Sequence, residues 1–279
     1  MTNQDAQNRP APTITVVVPS LDSAGTILEC LESLASQTYT DFEVLIQDGL
    51  SADSTIAMIE SFRSRHPHLD MRVYQERDGG VYDAMNKAVD RARGEWILFL
   101  GSDDRLFATD TLRSVARFLT EEYDVVYGDV VSPVFGGRYA GRMSLCSLLH
   151  TNICHQAILT RRRLYDQVGK FDTRFRILAD WEHNMRWFLS PQVRVTHVDE
   201  VIATFGARGL SSTGIDPVFH REQRLLFLDH GRRSLPLGLK VWLLMRETIA
   251  AAVRCDMPRL MRVVRAFPAV LEPRKPISR

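Results

Sequence analysis

The chain has 279 residues, with 35 basic against 34 acidic side chains, a 45% hydrophobic share and 9% aromatics. These are ordinary globular values with room for one large core, and they exclude collagen, coiled coil and wholesale disorder. The net charge of +1 averages two unlike parts, since residues 1–215 hold 22 basic and 28 acidic side chains whereas residues 216–279 hold 13 and 6.

From residue 14 the apolar pattern alternates between short runs and helical spacing. Ile14 to Val18 reads as a buried strand stopped by Pro19, and Ile27, Leu28, Leu31 and Leu34 share one helical face. Phe42 to Gln47 is a second strand, followed by a helix carrying Ile56, Ile59 and Phe62. Met71 to Tyr74 is a third strand, and Val81 to Arg93 a helix that Gly94 is placed to end. Trp96 to Leu100 is a fourth strand, Leu112 to Leu119 mark a helix, and Tyr123 to Val131 form a fifth strand. Beyond residue 132, Phe135 to Arg138 suggests a hairpin turn and Ala179 to Phe188 a helix. Val193 to Val198 and Val201 to Phe205 read as two more strands. Such alternation predicts an α/β fold: a mostly parallel, Rossmann-like sheet flanked by helices, with a helical basic C-terminal tail.

Cys30, Cys146, Cys154 and Cys255 form no C-x-x-C pair, which speaks against a zinc ribbon or redox motif and fits a reducing cytosol. The polar N-terminus lacks a signal-peptide core. The most apolar stretch, Leu237 to Val253, is broken by Lys240, Arg246 and Glu247, so no spanning segment is expected.

Folds of this class bind ligands beyond the carboxyl ends of their strands, where this chain collects acids. Asp48 follows the second strand, Glu76 and Asp78 the third, Asp103 and Asp104 the fourth. Several carboxylates facing one crevice need a partner, either a divalent cation or sugar hydroxyls. Asp103-Asp104 can ligate magnesium or manganese through oxygen; the plainer alternative is a capped turn with one solvated acid. Asp78-Gly79-Gly80 before a helix lets backbone N–H groups approach a phosphate or sugar, or simply makes a tight turn. No G-x-G-x-x-G or Walker pattern is present. Asp180-Trp181-Glu182 opens a helix, where acids suit the dipole and where a general base could also stand. His155-Gln156, inside an apolar stretch, reads as a core pair unless the segment lines a cleft.

In the tail, Met257, Leu260, Val263, Val264 and Phe267 form an apolar stripe, with Arg259, Arg262 and Arg265 on another face. That pattern suits an anionic membrane surface; the alternatives are a helix docked on the body or a homodimer partner. Nothing resembles a nucleic-acid-binding module, so no nucleic-acid partner is expected.

The ordered motifs resemble those of bacterial family 2 glycosyltransferases, inverting nucleotide-sugar enzymes of the glycosyltransferase A-type fold. The resemblance rests on Val16 to Ser20, Ser33 to Tyr39, Asp48 to Thr55, Asp78 to Lys87, Gly101 to Asp104, Cys154 to Ala157 and Gly169 to Glu182, and covers residues 13–205. Enzymes that build polysaccharide or glycolipid sugars, deoxyhexosyltransferases among them, are the most similar group. It implies a nucleotide-binding half (13–131), an acceptor half (132–205), a hinge loop (206–217) and an added tail (218–279). It further implies that Pro19, Ser20, Asp48, Asp78, Gly79, Tyr82, Asp83, Asn86, Lys87, Asp103 and His155 shape the nucleotide-sugar site. Asp104, with Asp103, stands at the metal position, Asp104 being the favoured direct ligand, and Asp180 at the base, with Glu182 as alternative. Members usually carry Glu-Asp at the base, where this chain has Ala179-Asp180, and Asp22 replaces the usual Asn of the first motif. The expected activity is metal-dependent, inverting sugar transfer from a nucleotide-diphosphate donor to a lipid-linked, glycolipid or polysaccharide acceptor hydroxyl. The location expected is cytoplasmic, peripheral at the membrane's inner face. The rival is a non-catalytic nucleotide-sugar-binding module. A nucleotidyltransferase is disfavoured because no glycine- and arginine-rich loop follows Val18.

Overall fold

The computed structural model describes residues 11–133, 136–139, 141–206, 214–253 and 256–271, with side chains as far as Val264. Four parallel strands form the N-terminal half: β1 (Ile14–Ser20), β2 (Phe42–Asp48), β3 (Met71–Gln75) and β4 (Trp96–Phe99). The sheet continues through β5 (Arg105–Leu106), β6 (Val125–Ser132), β7 (Gly137–Tyr139), β8 (Ile158–Arg161) and β9 (Val195–Thr204). Its order is β3-β2-β1-β4-β8-β6-β9-β5, with β7 paired to β6 as a hairpin. β8 runs antiparallel to both β4 and β6, so the second half is mixed rather than parallel. The two strands expected near residues 193–205 are one strand, β9, whose pairing with β6 shifts register around Asp129.

Helices cover both faces. On one side lie α1 (Ile27–Ala35), α2 (Thr55–Arg65) and α4 (Thr111–Ala116); on the other are α3 (Val81–Arg91), α5 (Leu145–His150), α6 (Leu164–Val168) and α7 (Ala179–Phe188). Every residue of β1 and β2 is buried, as expected for strands covered twice. The period of two then sorts side chains between two cores. Ile14, Val16 and Val18 join α1, α2 and α4, while Val17 joins α3 and α7. Gly94 does not end α3, which stops at Arg91. A Cβ there would lie 2.5 Å from the Thr15 backbone nitrogen, so the residue must be glycine for the chain to cross β1.

The C-terminal helices are α8 (Pro217–His230), α9 (Leu237–Val253) and α10 (Met257–Leu271). They share the core of the α/β body: Phe219, Phe227, Leu243, Leu244 and Val263 belong to the same buried cluster as α3 and α7. Asp216 caps α8 at Phe219 N (3.1 Å) and also accepts the N–H groups of Ile177 (3.0 Å) and Leu178 (3.3 Å). Glu247 is fully buried on α9 and pairs with Arg224 of α8 and Arg259 of α10.

This triad corrects the amphipathic stripe expected in α10. Arg259 is not on a solvated face; Glu247 draws it inward, and Val263, one turn on, is buried beside it. Met257 and Val264 face outward instead, together with Met261. The side chains of Arg265 and Phe267 lie outside the described residues. Among the described residues no helix is long and apolar enough to cross a membrane.

His183, in the middle of α7, is a buried core histidine stacked on Tyr165 (5.1 Å between ring centroids), with Nε2 3.1 Å from the Gly169 carbonyl. Burial, helped by the Arg186 charge, pushes its pKa down to about 4. The unfolded chain therefore binds the extra proton first, at about pH 6.5. The stabilising effect of the neutral ring is complete above that pH and is lost as pH falls towards 4. We expect about 2 kcal/mol of stability to disappear between pH 7 and pH 5 from this group. Urea midpoints for the wild type and His183→Phe at both pH values check it, the variant losing less.

Candidate active site

A crevice of about 490 Å³ opens beyond the carboxyl ends of β1 and β4. There the strand order reverses, with β2 on one side of β1 and β4 on the other, so the connecting loops diverge and leave a gap. Pro19 and Ser20 form one wall with the following loop to Thr26, and Asp78, Gly80 and Tyr82 form the next. Gly101 to Asp104 come from the end of β4, His155 and Gln156 from a short 3₁₀ turn before β8, and Arg176, Phe205 and Gly206 complete the rim.

Of the residues expected in the site, Pro19, Ser20, Asp78, Tyr82, Asp103, Asp104 and His155 line this crevice. Asp48 lies behind it, fully buried, and accepts hydrogen bonds from Ser20 Oγ (2.9 Å), Ser51 Oγ (2.6 Å) and Ser51 N (2.8 Å). It thereby ties the end of β1 to the loop after β2. Asp83 accepts the Gly79 N–H at 2.9 Å and pairs with Lys87 at 3.0 Å, whose Nζ also donates to the Arg77 carbonyl. Asn86 clasps the backbone of Phe171 through both its amide atoms, at 2.9 Å each. These residues set the shape of the Asp78–Tyr82 wall from outside.

The two carboxylates after β4 differ sharply. Asp104 is buried, its Oδ1 accepting Gly206 N (2.7 Å) and its Oδ2 accepting Gly101 N (3.0 Å) and Gln156 Nε2 (2.8 Å). Burial, with the charge of Asp103 added, raises its pKa despite the Gly206 hydrogen bond. Asp103 Oδ2 is buried with no hydrogen-bond partner. It lies where a Cβ on Gly206 would come within 2.6 Å, so only glycine lets the rim close over this carboxylate. Among the described residues no group of three or more His, Cys, Asp or Glu side chains is arranged to hold a metal ion.

Asp180 stands in the first turn of α7, just behind Tyr82 and His155. Its Oδ1 is 3.0 Å from Tyr82 Oη and accepts the Trp181 N–H at 2.8 Å; its Oδ2 accepts Asn152 Nδ2 at 3.0 Å and meets His155 Nδ1 at 3.3 Å. Burial opposes a charge on His155, but the Asp180 hydrogen bond and the fields of Asp180, Asp104 and Asp103 outweigh it and raise its pKa. Tyr82 Oη also lies 2.6 Å from the Ile177 carbonyl, and burial next to Asp180 pushes its pKa well up, so it stays a phenol. Glu182 points elsewhere. It is held by Arg186 and by His230 of α8 (2.8 Å), which keep its pKa low against the effect of burial.

Sequence reasoning missed Asn152, which orients Asp180, and Arg176, the one Lys or Arg on the crevice wall among the described residues. Asn152 lies outside the motifs and Arg176 falls within the Gly169 to Glu182 stretch without marking itself there; both are brought in by loops whose course depends on tertiary packing. His155-Gln156 is not a sealed core pair, since both residues reach the crevice.

A model of the family described as "Glycosyl transferase family 2" matches residues 15–185. The chain belongs to glycosyl transferase family 2. This family 2 chain is 42% identical over 215 residues to a PGL/p-HBAD biosynthesis glycosyltransferase of Mycobacterium tuberculosis, spanning 75% of this chain and 83% of that protein. Among solved structures, Staphylococcus aureus TarS 1–349 in complex with UDP-GlcNAc superposes with a TM-score of 0.68 at 22% identity, over 92% of this chain and 81% of that one. The mannosyltransferase PcManGT from Pyrobaculum calidifontis, in complex with GDP-Man and Mn2+, gives 0.58 at 18% identity, over 96% and 92%. The glycosyltransferase A-type fold expected from the sequence is the fold observed. As a family 2 glycosyltransferase, the protein is an enzyme of sugar transfer.

Proposed function

We propose that the protein moves a sugar, with inversion, from a nucleotide-diphosphate donor to a hydroxyl of a lipid-linked or glycolipid acceptor. The observation that carries this reading is the crevice itself. It brings together, at the β1/β4 reversal, a lining carboxylate with an unpartnered oxygen (Asp103) and, directly behind the Tyr82 and His155 wall, a second carboxylate (Asp180) fixed by four hydrogen-bond partners. The names of its relatives support the acceptor class, and the UDP-GlcNAc and GDP-Man complexes of its structural neighbours support the donor class.

The donor set fits a hard divalent cation, manganese or magnesium. A buried carboxylate oxygen without a partner, next to a second buried carboxylate, is electrostatically costly, and a cation relieves that cost. Asp103 and Asp104 would hold it. Asp103 offers the free oxygen, whereas the favoured ligand of the sequence reading, Asp104, already serves three N–H donors. When bound, the ion neutralises the diphosphate and stabilises it as a leaving group.

The chain's own groups do the rest. The Gly80 N–H is occupied by Asp78, so α3 presents its wall to the sugar through Asp78 and Tyr82. Arg176 faces the crevice with no carboxylate partner among the described residues and supplies positive charge towards the phosphates. Asp180 receives the proton of the acceptor hydroxyl as that oxygen attacks the anomeric carbon from the side opposite the diphosphate. Asn152, Tyr82 and the Trp181 N–H hold it in one orientation, so little reorganisation is needed as charge develops.

Thermal shift against a panel of nucleotide sugars, with manganese present, tests the donor class. Stabilisation of RT ln(1 + [L]/Kd) makes even weak donors visible. No shift with any donor, together with no metal-dependent hydrolysis, defeats the reading. Asp103→Ala is expected to weaken manganese-dependent donor binding at least tenfold, measured by calorimetry; unchanged affinity removes Asp103 from the cation site.

A further inference from the structure

The outward face of the two last helices is apolar where a water-facing helix should be polar. On α9, Trp242, Met245, Ile249 and Val253 fall within one narrow helical arc and are 43 to 80% exposed. Directly across that helix Lys240, Leu243, Leu244, Glu247 and Ala251 are buried, so this is not the docking face of α9. On α10, Met257, Met261 and Val264 are likewise 47 to 61% exposed. A contiguous exposed apolar strip of this kind marks a contact surface.

We infer that this face is the surface on which the enzyme sits on an anionic membrane leaflet. Charge decides the occupant. Residues 216–279 carry 13 basic and 6 acidic side chains, and burial withdraws both signs alike, Asp216 and Glu247 against Lys240 and Arg259, so the basic excess is kept. Arg246 flanks the strip with its guanidinium over the Trp242 ring at 5.3 Å, and Arg262, half exposed on α10, reaches Glu222 only at 3.5 Å. A tryptophan with an adjacent arginine is suited to the headgroup level, where the ring is half buried and the cation meets phosphate. A second copy would bring one excess of arginine against another, which disfavours self-association through this face. An anionic leaflet attracts it. The choice of a bilayer also rests on the lipid-linked acceptor proposed above, since that substrate is held at a membrane surface.

The test uses the full chain in vesicle flotation, with phosphatidylcholine alone and with added phosphatidylglycerol. The wild type is expected to float with the anionic vesicles, and less so at high salt. Trp242→Glu combined with Ile249→Glu should weaken partitioning by about a hundredfold, from the apolar burial lost. Arg246→Ala and Arg262→Ala should each cost roughly fivefold. Equal flotation of the wild type and the double glutamate variant overturns the assignment, as does failure of the wild type to float. If light scattering instead shows a dimer that the glutamate variant dissociates, the face belongs to a second copy and the inference fails. Metal-dependent donor hydrolysis is measured in parallel and should be unchanged in every variant. Its absence in the wild type would count against the proposed transfer activity without touching the flotation result.

Discussion

Asp180→Asn is expected to bind the donor as the wild type does and to lose turnover by about 10²- to 10⁴-fold, the usual contribution of a general base. The substitution is close to neutral in shape, and most partners adapt to it. The asparagine oxygen can still accept the Trp181 N–H and the Tyr82 hydroxyl, while its amide faces His155, whose tautomer can change. Only the meeting of two NH₂ groups at Asn152 is unfavourable, which costs about 1–2 kcal/mol of stability. Single-turnover kinetics with saturating donor, alongside donor affinity by calorimetry, separate chemistry from binding. Normal turnover would end the case for Asp180. Glu182→Gln provides the contrast: with Glu182 tied to Arg186 and His230, the variant should be less stable yet keep turnover among its folded molecules.

Glu247→Ala should cost about 3–5 kcal/mol of folding stability, the range for removing one partner from a buried ionic cluster. Glu247 is wholly buried and Arg259 nearly so; without the carboxylate, Arg259 is left as an unpaired buried charge, and its Nη1 already lacks a partner. Arg224 is more exposed and can turn to water, so the damage centres on the α9–α10 contact. Urea denaturation should show the loss, and a second substitution, Arg259→Met, should recover much of it by removing the stranded charge. A wild-type midpoint in the single variant would show that the triad contributes nothing net.

The sheet was legible because its signals are local. β1, β2 and β4 are short apolar runs with punctuation at each end, and α1 and α3 carry unbroken helical faces. The elements that were not foreseen, β5, β8, α5 and α6, are two to six residues long, too short for a period to register. The switch to antiparallel pairing at β8 is a tertiary event with no local signature. At the site, the acids at strand ends announced themselves, but their division of labour did not. That Asp104 is saturated by Gly206, Gly101 and Gln156 while Asp103 keeps a free oxygen depends on a rim segment more than a hundred residues away in the chain. The tail misled for a related reason: the pattern of α10 identified two faces, and only the buried Glu247 on another helix determines which one turns inward.

Asp216 has a wider consequence. One carboxylate both starts α8 and holds the backbone amides of Ile177 and Leu178, two residues ahead of Asp180. Helix α8, to which α9 and α10 are tied through Glu247, is thus fastened to the turn that aims the candidate base, and the His230–Glu182 pair fastens it to α7 a second time. If the enzyme sits on a leaflet as inferred above, the crevice would stand at a fixed height over it, and only acceptors whose reactive hydroxyl projects to that height would reach the anomeric carbon. The enzyme would then select its acceptor as a ruler does, by headgroup length, before any pocket contact is made.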